Sequence, residues 1–323
     1  MGEVKIEVVD PQDDARLLRW NAVLRESYAS GRRHVWSRSD DATRLQFQNP
    51  HPTRRSVLLL ADIDGVAVGA AEAHVHPGDP AEVEIAVRDD HRRRGIGGAL
   101  LRAVREALRP SATVIRAETY SDDGVSFALS AGLRVGSRES RQIVGLPISE
   151  GTLADQDEHP DDIDIHSWSG PCPDELLEGW ARLRSRVSDE VPMGTLTRAT
   201  MRPDVQAVRR NEQRMSEQGY ILVRSLARAG EESVAYTEIL LSRSDTEIVH
   251  QDDTFVEERV RGRGVGRALK VANARLLMGL PESAGSRILQ TYPEPTNTPM
   301  LTLNRSFGFE EADVLTVLEG PLA

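Results

Sequence analysis

Two short stretches of the chain combine the residue types that hold an oxygen-rich anion. Residues 92–97 read Arg-Arg-Arg-Gly-Ile-Gly and residues 261–266 read Arg-Gly-Arg-Gly-Val-Gly. Each runs into a segment with apolar residues at helical spacing, GALLRAVREAL in the first case and GRALKVANARLLMGL in the second. A helix that opens on a glycine turn presents unpaired amides and the positive end of its dipole, which suits a phosphate. Gly95, Gly97, Gly264 and Gly266 remove Cβ atoms so that oxygens can approach the backbone around Ile96, Gly262 and Val265. Arg92, Arg93, Arg94, Arg261, Arg263 and Arg267 supply planar donor forks to the remaining oxygens. This chemistry asks for a pyrophosphate-bearing ligand. A dinucleotide fingerprint would need a small residue at Leu100 or Leu269, and a P-loop would need Gly-Lys-Ser/Thr after the turn.

The elements that must position these turns occur twice. Trp20 in DARLLRWNAVLRESY matches Trp180 in DELLEGWARLRSRV, and Tyr120 in AETYSDDG matches Tyr292 in LQTYPEPT. Gly132 in SAGL matches Gly308 in SFGF, and all the pairs fall in one order along the chain. Each copy reads as a short strand, a tryptophan-bearing helix, a vaguer second helix and three strands. The glycine turn, its helix, another strand and a short helix follow. Asp64-Gly65 marks a hairpin between SVLLLADI and VAVGAAEAHV. Antiparallel strands followed by a strand–turn–helix–strand crossover predict an α+β fold, with each copy a mixed, mostly antiparallel sheet flanked by helices. The expected domains are 1–150 and 163–323, joined by an acidic linker at 151–162.

Composition narrows the partners. The 323 residues carry a net charge of −11, which opposes nucleic-acid binding, and no basic stripe interleaved with aromatics offsets it. The single cysteine, Cys172, permits neither an internal disulfide nor a multi-thiolate zinc site. It lies in SGPCPDE without basic neighbours, so a packing or surface role is expected. No His/Cys/Asp grouping has metal spacing, and no metal is expected. The longest apolar runs are strand-length, so no membrane association is expected and the protein reads as cytoplasmic.

Placed after a strand and opening a helix, both turns resemble the acetyl-CoA signature of the GNAT N-acetyltransferase superfamily. The element order is similar in both halves, and TNTPMLTLNRSFGF resembles a segment of tandem-domain members. The resemblance implies acetyl-CoA as co-substrate, with its pyrophosphate on the turn amides. It also implies hydrogen bonds from the preceding strand, Ile85 to Val87 or Phe255-Val256, to the pantetheine arm. Asn297 and Asn304 would either contact that arm or cap and turn the chain.

Acetyl transfer then needs a neutral amine, a polarised carbonyl and a thiol that can leave. The tyrosine that many family members place before the Gly-Phe segment is replaced here by Ala128 and Asn304. Tyr120 and Tyr292 are substitutes as acids, or aromatics shielding the sheet end. The base candidates are Glu82 and Glu84 in the first copy, and Asp252 and Asp253 with His250 nearby in the second. Alternation puts Glu82 and Glu84 on one face, directed either to the site or to water. Tyr292, Asp252 and Glu84 are therefore the candidate catalytic residues. The fuller family match of the second copy favours that half as the catalyst. The expected acceptor is a small-molecule primary amine, attacking directly in a ternary complex. The alternative is a catalytically silent CoA-binding module.

Overall fold

The computed structural model describes residues 3–49, 54–76, 79–109, 111–158, 160–190, 196–197 and 202–322. The first part of the chain forms β1 (Lys5–Val8), α1 (Asp14–Ala29), α2 (Asp40–Gln48), β2 (Arg55–Ile63), β3 (Val66–Val75) and β4 (Ala81–Val87). It continues with α3 (Ile96–Leu108), β5 (Val114–Thr119), α4 (Asp122–Ser130) and β6 (Arg134–Gly145). The rest forms α5 (Glu150–Ala154), β7 (Asp164–Ser169), α6 (Asp174–Glu190), α7 (Val205–Glu217), β8 (Tyr220–Ala229) and β9 (Glu232–Ser242). Last come β10 (Ile248–Val256), α8 (Val265–Gly279), β11 (Ile288–Thr291), α9 (Thr298–Ser306) and β12 (Glu310–Pro321).

The chain divides into two compact units. The first comprises 1–138, 193–197 and 313–323; the second comprises 139–192 and 198–312. In the first, the sheet order is β1-β2-β3-β4-β5-β12, antiparallel except for the parallel pair β4–β5. In the second it is β7-β8-β9-β10-β11-β6, again with one parallel pair, β10–β11. The two sheets are built alike, and each is finished by the closing strand of the other sequence copy.

Unbroken apolar runs such as Val57–Ala61 follow from burial on both sheet faces. In the first unit Leu58 and Leu60 pack with Trp20, Val23 and Phe47 beneath α1 and α2. Val57, Leu59 and Ala61 point the other way, to Ile96, Leu100 and Val104 of α3. Trp20 is fixed by its indole N–H, which donates to the Ala71 carbonyl at 3.0 Å. Trp180 occupies the corresponding place on α6, against Trp168 and Tyr236. The hairpin falls where expected, with Asp64 and Gly65 both at positive φ. The acidic stretch read as a linker carries α5, capped by Ser149, and Leu153 is fully buried in the second unit's core.

Candidate active site

In the first unit, β4 and β5 pair only from Ala81–Val83 to Ile115–Ala117. Both strands continue beyond that point, to Val87 and Thr119, without pairing. Two parallel strands that part in this way leave one backbone edge of β4 open, while β3 holds the other through Val87. The opening is a cleft of about 650 Å³, lined by Glu84 to Val87 of β4, Glu118 and Thr119 at the end of β5, Tyr120 and Ser121 beyond it, Tyr28 of α1, and Arg92, Arg93 and Gly95 to Gly98 of the turn. That volume suits a ligand of cofactor size.

The turn has the same form in both units. Gly95 and Gly264 cap α3 and α8 with φ 82° and 83°, and no side chain caps either helix. The amides of Ile96, Gly97, Val265 and Gly266 at these helix starts therefore have no side-chain acceptor. A Cβ on Gly95 would meet nothing within 4 Å, so the space above it is open. Gly97 and Gly266 have a different reason: their missing Cβ atoms face Phe127 and Val256, at 3.5 and 3.3 Å, and let the helix pack closely. Ile96 and Val265 are core residues at 1% exposure, so only their backbone faces the turn.

The arginines are less uniform than their sequence suggests. Arg92 Nε donates to the Val87 carbonyl at 3.1 Å, and Arg261 Nε donates to the Val256 carbonyl at 2.8 Å. Arg92 also pairs with Asp89 at 2.7 Å, so this position holds the turn in shape. Arg93 stands at φ 61°, matching Gly262 at φ 76°, an uncommon conformation for a residue with a side chain. Arg94 is exposed, and Arg263 pairs with Asp162 at 2.6 Å. Arg267 Nε is buried with no hydrogen-bond partner among the described residues.

Beside the split lies a polar cluster on the α1 face of the sheet. Glu84 stands opposite Glu72, and Glu82 opposite His74. Arg38 binds Glu72 through both carboxylate oxygens, one at 2.9 Å, and His74 Nε2 contacts the same carboxylate. Burial opposes the charge of Glu72, but Arg38 and His74 outweigh it and hold its carboxyl down to about 2. Glu84 lacks such compensation. Burial, and then the charge of Glu72, raise its carboxyl above the usual range, while the Tyr28 hydroxyl hydrogen-bonds to it. Glu82, on the same face, is exposed. The site thus holds one carboxylate fixed as an anion beside another with raised proton affinity.

The second unit also has a split: β10 pairs with β11 only at Ile248–His250 and continues to Val256. A β-bulge lies between Gln251 and Thr254, so Asp252 and Asp253 both sit opposite Glu238 within β9. Burial, then Asp253 and Glu238, push the Asp252 carboxyl up to about 7. The Tyr236 hydroxyl donates to Asp253 at 3.2 Å. His250 is pushed down to about 4 by burial and Arg141.

The chain matches the model of the acetyltransferase (GNAT) family over residues 20–129. It is 30% identical to the mycothiol acetyltransferase of Nocardia farcinica over 261 residues, spanning 79% of this chain and 80% of that protein. The mycothiol acetyltransferase of Salinispora arenicola is 27% identical, over 84% of this chain and 83% of its own. The chain belongs to the GNAT family of N-acetyltransferases. Its fold is similar to that of a tandem GNAT protein from the clavulanic acid biosynthesis pathway, with TM-score 0.82, 21% identity and 99% coverage of both chains.

Ile85 and Val87 line the first cleft, whereas Phe255 is a core residue with only its backbone on the strand edge. Val256 is half-buried against Gly266. Asn297 caps α9, accepting from the Met300 amide at 3.1 Å. Asn304 is fully buried; its amide donates to Gln142 Oε1 at 2.8 Å and its oxygen accepts from Lys270 Nζ at 3.0 Å. Both asparagines are thus engaged within the fold. Tyr292 follows β11 and is half-buried, and Tyr120 lines the first cleft beneath the Arg32 guanidinium. The sequence reading missed Tyr28, Arg38, Glu72 and His74. Glu72 and His74 did carry a signal, as polar residues at alternate positions in the otherwise apolar strand VAVGAAEAHV. Among the described residues no helix is long and apolar enough to cross a membrane.

Proposed function

We propose that the first unit transfers an acetyl group from acetyl-CoA to the primary amine of a small molecule, by direct attack in a ternary complex. The observation that carries this reading is the single cleft in which the glycine turn, the open edge of β4 and Glu84 meet. When bound, acetyl-CoA supplies an acetyl group activated by a thiol leaving group. The turn amides around Gly95 to Gly98 bind its pyrophosphate, aided by the helix dipole. The open edge of β4, from Glu84 to Val87, hydrogen-bonds the pantetheine arm and sets its register. Glu84 accepts the proton that the amine loses as nitrogen bonds to the carbonyl carbon and the carbon–sulfur bond breaks. Its raised proton affinity improves it as a base, and the Tyr28 hydroxyl orients it. The mycothiol acetyltransferase relatives support a small-molecule acceptor.

A second reading places turnover in the second unit. It is favoured by the bulge that brings Asp252, with its carboxyl near 7, to the corresponding split. Amine-dependent release of free thiol from acetyl-CoA separates the two. Glu84→Gln is expected to lower kcat by about 100- to 10,000-fold, with Asp252→Asn near wild type. The reverse pattern assigns turnover to the second unit, and thiol release that ignores both changes sinks both readings.

A further inference from the structure

The first unit's cleft contains a second polar device that acetyl transfer alone leaves unused. Arg32, just beyond α1, is fixed from two sides. Its Nε donates to Asp313 Oδ2 of β12 at 2.8 Å, and its guanidinium carbon lies 3.5 Å from the centroid of the Tyr120 ring. The Arg32 and Asp313 side chains are only 14% and 17% exposed. Arg32 nevertheless lines the cleft, and its two terminal amino groups have no hydrogen-bond partner among the described residues. Of the other arginines here, Arg93 lies exposed on the glycine turn at the cleft. Arg38 is bound to Glu72, and Arg92 is folded back on Val87 and Asp89.

A guanidinium held flat, largely desolvated and with its end fork unused is organised to take a planar oxyanion through two parallel hydrogen bonds. Its rotamer freedom has already been lost on folding, so binding at that fork brings little further ordering cost. Asp313 occupies the Nε edge and leaves the other edge available. The same cleft presents Glu84 to a cationic group. An acidic locus and a basic locus in one cleft match a ligand that carries both charges.

We propose that Arg32 binds a carboxylate of the acceptor, so that the first unit acetylates an amine that is also a carboxylic acid. This rests on the first unit being the one that turns over. The Arg32 fork selects the acceptor, and Asp313 and Tyr120 position it. The cofactor's own phosphates are the competing anion, and kinetics separate the two.

The test is steady-state kinetics on the full chain with matched acceptors, each amino acid paired with the amine that lacks its carboxylate. The wild-type protein is expected to favour the acid in kcat/KM by about 10- to 100-fold. Arg32→Gln should erase that preference by raising KM for the acid alone, with KM for acetyl-CoA unchanged. Asp313→Asn, which loosens the fork without removing it, should lie between. Calorimetric binding of acetyl-CoA to each variant confirms an intact cleft. A preference that survives Arg32→Gln, or a rise in KM for acetyl-CoA in place of the acceptor, overturns the subsite while Glu84-dependent turnover still stands. Turnover indifferent to Glu84→Gln overturns the subsite together with the reading beneath it.

Discussion

Buried charges in this protein differ in what stands next to them, and that difference sorts them by role. Glu72 has Arg38 and His74 and stays an anion, while Glu84 beside it has a hydroxyl and a like charge and gains proton affinity. Lys270 is a third case, 5% exposed, with an amide oxygen at 3.0 Å and the Phe309 ring at 5.6 Å. Burial pushes its ammonium down to about 7. An unfolded chain keeps this lysine protonated to about 10.4. Between about 7 and 10 the unfolded state therefore binds more protons, and stability rises with pH by about 1.4 kcal/mol per unit. Below about 7 both states are protonated and this contribution is flat, at its least favourable level. Lys270→Met should abolish the rise, measured by chemical denaturation from pH 6.5 to 9.5; an unchanged slope would refute the assignment. None of this was legible in GRALKVANARLL, because Asn304 and Phe309, which receive the ammonium, lie far along the chain. Cys172 was legible: a loop cysteine without basic residues beside it in sequence proves 2% exposed, its thiol pushed up to about 12 by burial.

At the scale of the element, the glycine turn separates two jobs that its sequence merges. Gly264 is required for its backbone conformation, at φ 83°, while Gly98 sits inside the first turn of α3, where a Cβ would meet only the end of Arg102 at 3.7 Å. Gly264→Ala should destabilise by about 1–2 kcal/mol, and Gly98→Ala should stabilise by about 0.5–1 kcal/mol. Thermal unfolding without cofactor reads both; equal effects would remove the distinction. The elements themselves were largely visible in the sequence, since Asp64-Gly65 and the apolar alternation report local backbone preference. The bulge at Asp252 and Asp253 was not, because one extra residue in a strand leaves no compositional trace. Alternation also placed Glu82 and Glu84 together correctly, yet it could not say that α1 brings Tyr28 over one and leaves the other in water.

Over the whole chain, the order of matched motifs revealed the duplication but not the route of the closing strands. Pairing between β5 and β12 joins residues 114–119 to residues 316–321, a separation that periodicity does not encode. The consequence is that the first unit depends on the end of the chain. Arg116 donates to Glu319 of β12 at 2.8 Å, and Asp313 of the same strand anchors Arg32 in the cleft. A fragment of residues 1–150 would leave the β5 edge unpaired and both arginines without these carboxylates. Exposed, unpaired strand edges favour aggregation. The fragment is therefore expected to aggregate or to lack cooperative unfolding, and a peptide of residues 310–321 supplied in trans should restore protection to the β5 amides in hydrogen exchange. A fragment that unfolds cooperatively by itself, with the full chain's affinity for acetyl-CoA, would show that the exchanged strand is dispensable to the first unit.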